Sequence, residues 1–126
     1  PLLAVAPEQP GVLPLAVWSG TGEIGLAVRR EAAGTTVFCG LPTASPVLLR
    51  AIAREAGAWI YAETDDIISA GAGFVSLHAA QPGEKLLRLP RPMALRDAFS
   101  GEALPAAEVH RLRLDQGATR VLLYER

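Results

Sequence analysis

Apolar residues fall in short runs along the first third of the chain: LLAVA (2–6), LPLAVWS (13–19), IGLAVRR (24–30) and TTVFCG (35–40). Between them stand PEQPG, GTGE and EAAG. Glycine, proline and acidic punctuation at roughly ten-residue spacing predicts strands joined by tight turns. TGE between AVWSG and IGLAV predicts a hairpin. The runs are apolar almost throughout, which allows some strands to be buried on both faces.

The period then changes. SPVLLRAIAREAG predicts a helix over residues 45–56, with Ser45 as N-cap and Pro46 at the first helical position, where its missing N–H costs nothing. Val47, Leu48, Ala51, Ile52 and Ala56 share one face, with Leu49 at its margin and Arg50, Arg54 and Glu55 opposite. Gly57 supplies the left-handed stop. TTVFCG, the helix and AWIYAE (58–63) together have the length of a strand–helix–strand unit with parallel strands.

Beyond residue 66 the pattern is of strands. In FVSLHAA, Phe74, Ser76 and His78 alternate with Val75, Leu77 and Ala79; in VHRLRL, Val109, Arg111 and Arg113 alternate with His110, Leu112 and Leu114. EKLLRLP, MALRDAF and TRVLLYE complete the set, with turns at QPGE, FSGE, LPAAE and DQGA. The fold class predicted is α+β: a mostly antiparallel sheet or sandwich with one helix packed against it. Residues 1–126 form a single domain, with a strand-and-helix part (1–66) and an antiparallel tail (67–126).

Composition narrows the function classes. A formal charge of −1 lacks the basic footprint of a general nucleic-acid binder. The single cysteine, Cys39, excludes an intrachain disulfide and zinc-ligand spacing. No apolar run reaches the roughly 18 residues of a membrane helix. The chain opens on Pro1 rather than methionine and reads as a piece of something larger, so the sequence assigns no compartment.

Candidate chemistry centres on IYAETDDII, where Glu63, Asp65 and Asp66 stand in one break with His78 further on. Three carboxylates are weak metal candidates, but calcium wants alternating oxygen ligands with a closing bidentate acid, and ETDD supplies a fragment of that. Glycoside hydrolysis wants two carboxylates about 5–10 Å apart across a bond, and no second acid pairs with these. Asp is also good turn chemistry, so a solvated turn is expected. Cys39 ends a strand ahead of a helix, as a nucleophile would, yet FCGLP lacks the glycine two before it, and a small buried hydrophobe is expected. His78 and His110 are expected to bond neighbouring strands. GTGEIG lacks the Lys-Ser/Thr of a phosphate loop and reads as the hairpin turn. Trp18, Trp59 and Tyr61 are the candidate ligand-binding aromatics, with Trp59 and Tyr61 on one strand face by period two. No catalytic residue, resident metal or cofactor is predicted.

Two blocks carry a family resemblance. TTVFCGLPTASPVLLRAIAREAGAWIYAET resembles the last strand–helix–strand of the glutamine-amidotransferase-like module of beta-galactosidase-like glycoside hydrolases. The segment from FVSLHAA to VLLYE is similar to the C-terminal β-domain that follows in those enzymes, through His78, Gly83, Leu89, Pro90, Pro92, Asp97, Phe99, Gly101, Glu102, Leu114, Gly117 and Thr119. The resemblance spans residues 24–126. In that family the catalytic glutamates lie in a separate barrel and the amidotransferase-like module serves assembly. It therefore implies a non-catalytic accessory and assembly module whose partner is the rest of a larger protein or a second copy. A carbohydrate-binding module using the three aromatics is the alternative, and a small Cys39-dependent enzyme a third.

Overall fold

The structure, a computed structural model, describes residues 3–6 and 8–125. The chain divides into two compact units, Pro1–Ile52 and Ala53–Arg126. The division falls inside the helix, whereas sequence punctuation places it at residue 66.

The first unit is a three-stranded antiparallel meander of β1 (Val12–Val17), β2 (Ile24–Glu31) and β3 (Gly34–Cys39), in that spatial order. The predicted hairpin joins β1 to β2: the Trp18 N–H donates to the Glu23 carbonyl at 2.8 Å, and the Gly22 N–H returns to the Trp18 carbonyl at 3.0 Å. Gly20 and Gly22, with φ of 95° and 75°, supply the left-handed bends that a side chain would strain. Among its described residues, the buried apolar side chains are Ile24, Ala27 and Val28. The strand expected over residues 2–6 is reduced to one bridge, Val5 to Ile24, among the described residues; Leu2 lies outside them. Its neighbour Leu3 passes so close that a Cβ on Gly40 would sit 2.2 Å from the Leu3 carbonyl oxygen.

Helix α1 (Pro46–Glu55) follows the sequence signals. The Leu48 N–H donates to Ser45 Oγ at 3.2 Å, the N-cap bond, and Gly57 stops the helix with φ of 76°. The expected packing of its apolar face is not observed: no residue of α1 is buried, and Val47 and Leu49 are 68% and 54% exposed.

The second unit is a five-stranded antiparallel sheet, β4 (Ile67–Ala70), β5 (Phe74–His78), β6 (Gly83–Asp97), β7 (Ala103–Leu114) and β8 (Thr119–Tyr124), in the order β4-β5-β8-β6-β7. The alternation read from sequence is borne out: Val75 and Leu77 on β5 with Ala79 just beyond it, Leu87, Leu89 and Leu95 on β6, Leu112 and Leu114 on β7 and Leu122 on β8 meet in one buried cluster. EKLLRLP and MALRDAF are one strand, interrupted where the register jumps from Arg88↔Val109 to Met93↔Ala107. Pro90 and Pro92 lie in that interruption, because neither can donate to a ladder.

The α+β, mostly antiparallel class is therefore observed, but the parallel unit is not. Residues 58–63 form no strand, the strand after α1 begins at Ile67, and among the described residues every strand pair is antiparallel.

Candidate functional site

The acidic break is three different environments. Glu63, exposed, pairs with Arg54 on the last turn of α1. Asp65 is exposed. Asp66 points inward: its side chain is 1% exposed and accepts bonds from Lys85 Nζ and from the Ala80 N–H, both at 2.9 Å, and from the Thr64 hydroxyl. Lys85, the chain's one lysine, is itself only 3% exposed. A solvated turn describes Glu63 and Asp65 but not Asp66. Among the described residues no three His, Cys, Asp or Glu side chains converge as metal ligands. His78 sits opposite Ile67, the residue after the break, and its Nδ1 is 2.8 Å from Thr119 Oγ1. His110 is buried with Nε2 3.1 Å from the Met93 carbonyl. Cys39 is half-buried at the end of β3.

Sequence reasoning passed over Lys85, although a signal was there. It shares the inward period of Leu87 and Leu89 on one strand, and a lysine at such a position requires a buried partner.

A second polar network holds the β6–β7 turn. Asp97, 5% exposed, accepts the N–H groups of Phe99 (2.9 Å) and Ser100 (2.8 Å) and Arg120 Nε (2.6 Å). Arg120 Nη2 continues to Glu102 at 2.7 Å. Gly101, at φ of 74°, completes the bend, and Phe99 projects from it 82% exposed.

Both carboxyls sit below their ordinary value of 3.8. For Asp66, burial pushes upward and is outweighed by the bonds from Thr64, Lys85 and Ala80. For Asp97 the Ser100 N–H is the main cause, then the Arg120 guanidinium, against burial. A carboxyl depressed by folding contributes stability that is fully present above its unfolded value and is lost as pH falls toward the folded one. Urea midpoints should therefore drop from about pH 4 downward, with Asp97→Asn flattening the drop. A midpoint constant between about pH 6 and about pH 3 would contradict this.

The aromatics separate. Trp18 donates Nε1–H to the Leu3 carbonyl at 3.0 Å and lies over Gly25, where a Cβ would be 2.9 Å from the indole. Tyr61 is half-buried against the core of the second unit and bonded to Tyr124, whose phenol is pushed up by burial and by Tyr61 beside it. Trp59 is 50% exposed, and its Nε1–H donates to the Arg88 carbonyl at 3.0 Å. Trp59 and Tyr61 thus do not form one platform. Trp59 instead lines a cleft of about 380 Å³ at the C-terminal end of α1, together with Gly57, Ala58, the Arg54–Glu63 pair and Arg88.

No family model matches this sequence, and no curated protein matches it. Among solved structures, the fold is similar to part of a beta-galactosidase from Bacillus circulans sp. alkalophilus, with a TM-score of 0.60 at 12% identity. The likeness covers 91% of this chain and 18% of that one.

Proposed function

We propose that this chain is a non-catalytic accessory and assembly module of a carbohydrate-active enzyme of the beta-galactosidase-like kind. The observation that carries the proposal is the fold match: nearly the whole chain corresponds to less than a fifth of a much longer glycoside hydrolase. The surface supports it. On β1, Leu13, Leu15 and Val17 are 54%, 54% and 57% exposed, and on α1 Val47 and Leu49 are exposed as well. Each half-exposed leucine that becomes buried contributes about 1 kcal/mol. Such residues supply the contact through which the module joins the rest of a larger chain or a second copy.

Light scattering of this chain at several concentrations tests the reading. Association that rises with concentration is expected, and the double variant Leu13→Glu, Leu15→Glu should abolish it. Both side chains are exposed, so the variant keeps the meander. A monomer at every concentration would overturn assembly through a second copy.

A further inference from the structure

We infer that the cleft at the end of α1 binds a glycan containing a uronic acid, with a pyranose ring on the Trp59 indole and its carboxylate on Arg88. The choice of a sugar, among ligands with an apolar face and a negative charge, rests on the proposed function. The placement of the two groups rests on the cleft.

Trp59 presents half its surface while its only polar atom is already bonded to the Arg88 carbonyl. A ligand covering the ring therefore leaves no indole donor unpaired, and the ring is held in one orientation beforehand. The C–H face of a pyranose suits such a surface. The frame is equally fixed. The Gly57 N–H bonds the Arg54 carbonyl at 2.9 Å, the Ala58 N–H bonds the Ala53 carbonyl at 2.8 Å, and the Arg88 N–H bonds the Tyr61 carbonyl at 2.8 Å.

Charge selects the substituent. Arg54 is matched by Glu63, whereas the exposed Arg88 guanidinium has no ion pair among the described residues. Arg88 thus offers its guanidinium to an anionic ligand. A planar guanidinium takes a carboxylate through two parallel bonds, so Arg88 fixes which end of the ring bears the acid. The volume, near the lower end of ligand clefts, suits one ring and its substituents.

The test is an NMR titration of the ¹⁵N-labelled chain with a galacturonate oligosaccharide and with the neutral galactose oligosaccharide of the same linkage and length. The acidic sugar should shift the Trp59 indole N–H and the Arg88 and Gly57 amides saturably. The neutral one should bind about tenfold more weakly or worse. Arg88→Gln, at an exposed side chain, should lower the acidic sugar to the neutral affinity, and added salt should do the same in part. Trp59→Ala should abolish the shifts and Trp59→Phe retain them. Absence of saturable shifts at the cleft, equal affinity for the two sugars, or binding indifferent to Arg88→Gln would each overturn the inference. Failure is separable from failure of the assembly role. A chain that self-associates without these shifts refutes the cleft alone, and one that shows them as a monomer upholds the cleft while refuting self-assembly.

Discussion

Replacing Lys85 by alanine should destabilise the second unit by about 3–5 kcal/mol, seen as a lower urea midpoint in circular dichroism. The cost comes from what is left behind. Asp66, 1% exposed, would keep its charge with only the Thr64 hydroxyl and the Ala80 N–H as partners. An isolated buried carboxylate is far more costly than a paired one. Removing both charges is a different matter. Lys85→Met with Asp66→Leu restores an apolar contact of similar volume and should recover most of the loss. The double-mutant cycle measures the coupling directly, and additive losses in the two single variants would show that the pair is not what holds this site. The exposed pair Arg111–Glu84 is the control: its side chains are 70% and 58% exposed, and Arg111→Ala should change stability by no more than about 0.5 kcal/mol.

Asp97→Ala should cost about 3 kcal/mol, the second largest effect expected. It removes three bonds at once, two to backbone N–H groups and one to Arg120. It also strips the guanidinium, 19% exposed, of its buried partner while leaving Glu102 in place. Asp97→Asn keeps an acceptor for the turn but not the charge, and should fall between. Hydrogen exchange at the Phe99 and Ser100 amides adds a local readout, which should rise sharply in the alanine variant. Unchanged exchange there would mean that the turn is held by Gly101 and the strand ladders alone.

Much of the architecture was readable from local signals. Ser45, Pro46 and Gly57 delimit the helix, because capping and stopping are chemistry of the backbone nearby. Alternation on β5 and β7 gave the inward faces, because one side of that sheet is buried and the other is not. AWIYAE misled because its composition suits a strand while its partner cannot extend a ladder. Tyr61 receives one bond from the Arg88 N–H, and the next donors on that edge of β6 would be at Pro90 and Pro92. The buried Asp66–Lys85 pair and the Trp59 cleft were harder to see, since each depends on chain segments that sequence distance does not connect. The D-x-F-x-G-E spacing did mark a turn, but not that its aspartate is buried on Arg120 while its phenylalanine stands in solvent.

The strand order has a consequence for how the second unit is made. β8, latest of the five strands in the sequence, lies between β5 and β6 and pairs with both. Until it leaves the ribosome, the nascent chain holds two separate hairpins, β4–β5 and β6–β7, whose inward leucines have no common interior. Collapse is deferred until β8 has emerged, and pairing Phe74 with Leu123 closes a long loop, which makes that step slow. A ribosome stalled before Thr119 would therefore present exposed leucine faces to chaperones, and a stop codon there would leave two hairpins rather than a shortened sheet.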